Sequence, residues 1–472
     1  MSGAAGGIGA LTVAELGKHL RAKAISPVDL TEAYLQRIEA TEEELNAFIT
    51  LTAEDALAAA KQAEQEIAKG DHKGPLHGIP FATKDLFWTA GVRTTSGSEA
   101  DLEFVPQEDA TVVKRLRDAG AFSIGKTNMS EWAFEITGRN EFFGWACNPW
   151  DKERMPGGSS SGSAVVVAAG GAPLSLGTDT GGSIRLPAAL CGLSGLKPTY
   201  GLVSRHGVTP LSWSLDHAGP LAHTIEDVAL VMNVLAGYDP NDPYSANVQL
   251  ASFTSSLNNS IQGLRIGIPR EYILDIIHPE VEASFKHALV TLEGLGAHVE
   301  EVSIPELEWA PLVGATITPV EAARYHDKRI RLHGDNYDQA IRRRIEGGFF
   351  VPEETYMQAQ RVRTLIGRKL AETLREVDVL ATPASITPAP RIDSATVAIG
   401  KATLPVRAAL TRLTQIFNIN GLPAASAPCG FSNGGLPMGL QIVGPAFEDA
   451  TVLRVLHAYQ QATDWHQRRP AA

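Results

Sequence analysis

From Met155 to Thr178 the chain carries no charged side chain, and this run limits the fold more than any other stretch. A membrane helix needs about 20 predominantly apolar residues. Here Pro156, Gly157, Gly158, Ser159–Ser161, Gly162, Gly170, Gly171 and Pro173 interrupt the run. Proline and glycine break a continuous helix. The segment therefore reads as a loop, a short helix over 162–170, a second loop and a strand over 173–178. Such a charge-free segment needs a folded body around it, and 472 residues can bury a sizeable core without staples.

The rest of the chain supplies that body. Thr12 and Glu15 form a capping box before an apolar-periodic run. Ser26-Pro27 supplies an N-cap and a proline at the first helical position, and Gly70 stops a third helix that starts at Thr52. Residues 78–87 read as a mostly buried strand, followed by a helix over 110–119 and a strand over 121–124. Later apolar runs near 264–268, 377–381, 424–428 and 438–443 suit strands, and 279–294, 354–376 and 448–462 suit helices. This alternation predicts an α/β fold layered around a mixed sheet. The polar stretch 238–262 reads as a linker or long surface loop. Residues 324–375 hold twelve Arg and Lys against seven Asp and Glu, read as a solvated helical face.

Charge and cysteine content exclude several classes. Lys and Arg total 41 against 53 Asp and Glu, a net charge of −12, which argues against coating nucleic acid or anionic membrane. Cys147, Cys191 and Cys429 are too few and too scattered for a disulfide framework, so a reducing, cytoplasmic setting is expected. The first twenty residues lack a basic start and an apolar core, so no leader is expected.

Two motif matches mislead. Gly120–Thr127 fits a phosphate-loop pattern, but a helix precedes it and the supposed loop is itself an apolar strand. Gly158–Gly162 fits the pattern of a hydrolase nucleophile elbow, but no strand lies upstream.

The chemistry concentrates in two other segments, Gly157–Ser163 and Gly177–Arg185. Each packs small residues and hydroxyls where the backbone turns sharply. The plain reading is a pair of Gly/Ser turns. The second segment, however, joins a strand to a helix over 184–190. A serine at that junction meets free N–H groups. Those of Thr180, Gly181, Gly182 and Ser183 could receive a developing oxyanion, where losing one donor costs about 2.7–4 kcal/mol of barrier lowering. A serine needs a base. Lys84 interrupts a nearly apolar strand, and desolvation would favour its neutral amine. On spacing alone, pairing with Asp85 or snorkelling at a strand end is the commoner fate of such a lysine.

These segments together resemble the amidase signature family. GGSSSGS and GTDTGGSIRLPAALCGLSGLKPTYG, preceded by GIPFATKD, carry the resemblance, which extends from SPVDLTEAYLQRIEA to GLPMGLQIVGP and is weakest over about 245–400. It implies one α/β domain over 1–472, with a central mixed sheet of about eleven strands surrounded by helices. Within it fall a helical segment 10–70, a signature core 75–235, a variable substrate-facing region of about 245–420 and C-terminal strands and helix over 421–465. No metal or organic cofactor is implied. Lys84 resembles the family's general base, Ser159 its bridging serine on a cis peptide, and Ser183 its acyl-enzyme nucleophile. Ser183 follows Ser159 by 24 residues and Lys84 by 99. Ser160, Asp179 and Arg185 are expected to support the loops. Ser161 stands where the family usually has glycine.

The resemblance implies an amidohydrolase that cleaves a C–N bond of a small amide or carbamate (urethane), with esterase activity open to the same chemistry, through an acyl-enzyme. One branch of the family, the A subunits of glutamyl-tRNA amidotransferases, frees ammonia from glutamine with partner subunits. Much of this chain resembles that branch, including 342–345 and 359–364. It departs at Thr411, where counting back from Gly421-Leu422-Pro423 places the aspartate expected to hold glutamine's amino group. The main expectation is therefore a stand-alone amidase acting on a small molecule, monomeric or homodimeric, with no nucleic acid and no membrane. The glutaminase subunit is the alternative, and a catalytically inactive scaffold the third reading. Met129, Trp132, Phe134, Trp145 and Trp213 each sit near a motif and either line an apolar pocket or pack in the core.

Overall fold

The computed structural model describes residue 9 and residues 11–471. The expectation about a leader rests partly on residues 1–8 and 10, outside the described residues. Local signals act where the sequence puts them. Thr12 and Glu15 close a reciprocal cap on helix Val13–Arg21. Ser26 Oγ accepts from Val28 and Asp29 at the start of helix Pro27–Leu45. Gly70, at φ 86°, ends helix Ala53–Lys69, a left-handed turn that glycine adopts without strain.

Among the described residues there are thirteen strands. They are β1 (Phe48–Leu51), β2 (Pro80–Lys84), β3 (Phe122–Thr127), β4 (Leu174–Asp179), β5 (Ser194–Lys197) and β6 (His217–Ala222). Then come β7 (Arg265–Pro269), β8 (His298–Val302), β9 (Val379–Pro383), β10 (Thr396–Ile399), β11 (Ala402–Pro405), β12 (Ala424–Phe431) and β13 (Pro437–Val443). Eleven of them form one sheet, ordered β1-β3-β2-β4-β6-β5-β12-β13-β9-β7-β8. The sheet is mixed: β2 runs parallel to β3 and β4, whereas β4 and β6, and β12 and β13, are antiparallel. Strands β10 and β11 pair separately as a hairpin. Every side chain of β2, β4 and β6 is buried, as expected for central strands covered on both faces. The fold is thus the α/β architecture expected.

The uncharged run resolves as a loop, helix Ser161–Ala168, a turn and β4. The phosphate-loop match is strand β3, and its Lys126 points inward. Lys126 Nζ donates to the Phe87 carbonyl and to Thr94 Oγ1 (2.7 Å), and lies 3.7 Å from Asp85. The sequence reading lacked β1, β5, β6, β8, β10 and β11 and, among the longer helices, Ile225–Leu235 and Ala310–His333. The six strands are short, and helix Ala310–His333 carries Pro319 in its interior, so neither periodicity signal is clean there. Residues 238–262 are mostly irregular, with one short helix, Phe253–Ser256.

No helix among the described residues is long and apolar enough to cross a membrane.

Candidate active site

Parallel pairing of β2 with β4, Ala82 opposite Ser175 and Thr83 opposite Leu176, brings the carboxyl ends of both strands to one edge. In α/β sheets, ligands bind outside such strand ends. Lys84 is the last residue of β2, and the 179–185 loop leaves the end of β4. The side chain of Lys84 is fully buried. Its Nζ donates to Ser159 Oγ at 2.7 Å and to Thr178 Oγ1 at 2.8 Å. Burial pulls the amine down to about 7, against the opposing pull of Asp179 and Asp216. Asp85 is no partner for it. That carboxylate accepts from the Thr95 amide and hydroxyl and faces Lys126, so pairing with Asp85 does not explain the buried amine of Lys84.

Ser159 follows a cis Gly158–Ser159 peptide and sits just before helix Ser161–Ala168. Ser160 fastens this loop to β4: its Oγ donates to the Thr178 carbonyl at 3.1 Å and accepts from the Thr178 amide at 3.3 Å. Ser161 Oγ donates to the Asn128 carbonyl at 3.4 Å.

Asp179 organises the second loop. Its carboxylate accepts from the amides of Gly182 (2.7 Å) and Ile184 (3.1 Å), from Asn418 Nδ2 (2.7 Å), and from Arg185 Nε and Nη2 (both 3.0 Å). Burial alone would raise its pKa, but the Arg185 guanidinium holds it far below the usual carboxylate range. Arg185 also donates to Gln441 Oε1 and Asn418 Oδ1, each at 2.7 Å. Both side chains are fully buried.

This geometry corrects one expectation. The Gly182 amide is committed to Asp179 and is not free to meet an oxyanion. Among the described residues, none accepts from the amides of Thr180, Gly181 or Ser183, so these three remain as donors. Gly182 instead serves the turn. At φ 130°, an added Cβ would lie 2.2 Å from Thr414 Oγ1. Thr180 Oγ1 donates to Asp216 at 2.6 Å, and burial pushes that carboxyl up to about 6. No hydrogen bond joins Ser159 Oγ to Ser183 Oγ among the described residues; Ser183 lines the adjoining cavity.

That cavity measures about 540 Å³ and runs from Thr180, Gly181 and Ser183 to walls formed by 311–319, Arg344 and 404–416. Phe134 lines it, but Met129, Trp132, Trp145 and Trp213 do not, and their assignment to the pocket is corrected. Met129 is buried. Trp132 stacks on Tyr337 (centroids 5.5 Å apart) and meets His326 edge-on at 4.7 Å. Trp145 packs against the cluster of Ile136, Met155 and Leu190. The Trp213 carbonyl accepts from Tyr200 Oη at 2.6 Å. Nearness to a motif along the chain placed these residues behind the loops. The sequence reading gave no role to Thr178, although it lies inside the Gly177–Arg185 segment, or to Asp216, which lies outside every motif, and it also missed Arg344, Arg407 and Arg412. Arg344 lay within the stretch read as a solvated face. Among the described residues, no group of three or more His, Cys, Asp or Glu is placed to hold a metal ion.

A family model described as Amidase matches residues 29–453. The chain belongs to the amidase family. One curated relative, the A subunit of glutamyl-tRNA(Gln) amidotransferase from Chloroflexus aggregans, is 45% identical, covering 98% of each chain. Among solved structures, one described as revealing the evolutionary origins of an s-triazine catabolic enzyme through a vestigial protein complex is 35% identical. It matches with a TM-score of 0.93, covering 98% of this chain and 100% of that chain. A second, the A subunit of glutamyl-tRNA(Gln) amidotransferase from Thermotoga maritima, is 35% identical with a TM-score of 0.80, covering 96% and 95% of the two chains. Two of these names belong to one component of a tRNA-dependent assembly, and the third to a protein complex. The expectation of a monomer or homodimer with no nucleic acid partner is therefore corrected: it rested on acidic net charge, and these relatives are named as subunits of a tRNA amidotransferase or as part of a protein complex.

Proposed function

We propose that this amidase-family chain cleaves an amide C–N bond through an acyl-enzyme on Ser183. One observation carries the reading: a fully buried amine, drawn down to about 7, lies 2.7 Å from Ser159 Oγ at the mouth of the Ser183 loop. Neutral Lys84 accepts the Ser159 proton as Ser159 accepts that of Ser183. Ser183 Oγ bonds to the carbonyl carbon, and the oxyanion meets the amides of Thr180, Gly181 and Ser183. The proton returns through Ser159 to the leaving nitrogen, the C–N bond breaks, and water then cleaves the ester. Arg185 and Asp179 hold the loop in place and do not touch the reacting atoms.

Glutamine is the amide that the relatives' names favour. In this reading the chain releases ammonia as the glutaminase component of a tRNA-dependent amidotransferase, with protein partners and a tRNA in the assembly. A second reading, hydrolysis of another small amide or a carbamate, is favoured by Thr411. It lines the cavity where an aspartate would be needed to hold an ammonium, and the cavity's one carboxylate, Glu135, already pairs with Arg344 at 3.0 Å. A buried ammonium without a carboxylate is costly. Three free cysteines suit a reducing compartment such as the cytoplasm.

The test compares turnover of glutamine, p-nitroanilides and aryl carbamates by the full chain, together with fluorophosphonate labelling. Labelling lost in Ser183→Ala supports the nucleophile; labelling that survives removes it. Glutamine turnover that requires copurifying protein partners supports the first substrate reading, and carbamate or anilide turnover the second.

A further inference from the structure

Two carboxylates act on Lys84 against the effect of its burial, Asp179 and Asp216, and they are compensated differently. Asp179 is paired with Arg185 at 3.0 Å. Asp216 is buried one residue before β6, and among the described residues no Lys, Arg or His nitrogen lies within ion-pair distance of its carboxylate. Arg205, packed on the same turn, pairs with Asp242 at 3.6 Å and gives Nη1 to the Asp216 backbone carbonyl at 3.3 Å. Burial keeps the adjoining His217 imidazole neutral, its Nδ1 donating to the Leu215 carbonyl at 2.7 Å.

A buried carboxylate without a cation is costly unless hydrogen bonds satisfy it. Asp216 Oδ2 accepts from the amides of Leu211 (2.9 Å) and Ser212 (3.0 Å), which closes its own turn. Glu321, buried in helix Ala310–His333, anchors that turn from outside: it accepts from Ser212 Oγ (2.6 Å), the Ser214 amide (3.0 Å) and Ser214 Oγ (2.7 Å). The other oxygen, Asp216 Oδ1, accepts from Thr180 Oγ1 at 2.6 Å. No other hydrogen bond holds Thr180 among the described residues. The loop after β4 is thus fixed at separate points: Asp179 holds Gly182 and Ile184, Thr414 holds the Gly181 carbonyl, and Asp216 holds Thr180.

We infer that Asp216 is a positioning residue of the reaction: its carboxylate, braced by the 211–216 turn, holds Thr180 where that residue's amide meets the developing oxyanion. The inference rests on the reading of Ser183 as the nucleophile and deepens it, because it adds a residue that touches neither substrate nor reacting atoms. The same carboxylate reaches the base. Asp216 lines one small void with Thr178, Thr180 and His217, and Thr178 Oγ1 accepts from Lys84 Nζ at 2.8 Å. A negative charge at that place favours the ammonium form of Lys84 and limits how far burial lowers the amine. One side chain therefore serves both ends of the relay, fixing a donor for the oxyanion and setting the charge of the base.

The test needs no known substrate. A fluorophosphonate labels the full chain as Ser183 Oγ bonds to phosphorus, fluoride leaves and the serine proton passes through Ser159 to Lys84; the phosphonyl oxygen meets the same amides. Thr180→Val removes the hydroxyl and keeps the shape. It should lower the limiting labelling rate ~10-fold or more while the half-saturating concentration stays nearly unchanged, and Thr180→Ser should restore most of the rate. Asp216→Asn keeps the shape and removes the charge. It should move the acid limb of the labelling rate, and the carbon-13 NMR midpoint of the Lys84 ε-carbon, to lower pH by ~0.5 or more. A role confined to stability would leave both readouts unmoved. A Thr180→Val chain labelled at the unmodified rate overturns the positioning role, even if Asp216→Asn does not fold, and an unmoved Lys84 midpoint in folded Asp216→Asn overturns the effect on the base. Absence of labelling in the unmodified chain would instead remove the Ser183 reading, while the Lys84 midpoint still reports on Asp216, so the two failures are distinct.

Discussion

The cavity has two sides built on different principles. The floor, from Lys84 through Ser159 to Arg185, hangs from central strands, and apart from Ser183 Oγ and the amides of Thr180, Gly181 and Ser183 its polar groups are buried and hydrogen-bonded to one another. The far wall, from 311–319, Arg344 and 404–416, comes from helices and a hairpin at the periphery, and its guanidiniums are half-buried and unevenly paired. Buried, hydrogen-bonded networks fix a geometry and tolerate little change. Half-solvated walls can change residue by residue without unfolding the protein. The contrast teaches that, on the proposed reading, the sheet holds the reacting groups and the elements laid over it form the wall a substrate would meet.

The sharpest way to break that contrast is to remove the floor's reacting groups. Ser183→Ala and Lys84→Ala are each expected to lower kcat by several orders of magnitude, with far-ultraviolet circular dichroism unchanged. A near-wild-type rate for either variant would take that residue out of the reaction. Next in size is the brace beneath them. Asp179→Asn leaves Arg185 buried without its countercharge, which should cost about 3–5 kcal/mol of stability, read as a lower denaturation midpoint in urea. A loss under about 1 kcal/mol would show that Asn418 and Gln441 suffice to hold Arg185.

Gly182→Ala tests the turn itself. Its φ of 130° and the approach of Thr414 Oγ1 leave no room for a Cβ. The expected cost is about 1–3 kcal/mol in stability, with kcat lowered more than KM because the neighbouring amides shift. An unaltered kcat would mean that those amides do not meet the oxyanion. On the wall the effect should be smallest. Arg344→Met removes a partly exposed pair with Glu135 and should change stability by about 1 kcal/mol or less. A larger loss would mean that the wall is as integral to the fold as the floor.

The same contrast explains what the sequence disclosed. Lys84, Ser159 and Ser183 were singled out by the resemblance to the amidase signature; local chemistry alone, a charge in an apolar strand and hydroxyls in glycine turns, left a paired or snorkelling Lys84 and plain Gly/Ser turns as the commoner readings. Capping residues at Thr12, Ser26 and Gly70, by contrast, located helices from local chemistry. Thr178 was invisible because its role depends on the alignment of β4 beside β2, which no local pattern encodes. Asp216 reaches Thr180 only through the antiparallel pairing of β6 with β4. Trp132 and Trp145 misled because adjacency along the chain placed them behind the loops, while Arg344 and Arg407 came to the cavity from more than a hundred residues away. Gly182 looked like an oxyanion donor because the sequence does not reveal that Asp179 claims its amide.

The central claim is that Lys84 is a neutral amine at working pH. Below about 7 the amine gains a proton and can no longer serve as base, so kcat/KM should fall as pH drops through that value. Stability carries the same link with a defined sign. Between about 7 and the ordinary lysine range, the unfolded chain holds a proton that the folded chain lacks, so this group's contribution rises with pH across that window. The most direct measurement is a carbon-13 NMR titration of the lysine ε-carbons in the full chain, with the Lys84 signal identified by its absence in Lys84→Met. A midpoint near 7 is the predicted result. A midpoint in the ordinary lysine range, near ~10.4, would contradict the account.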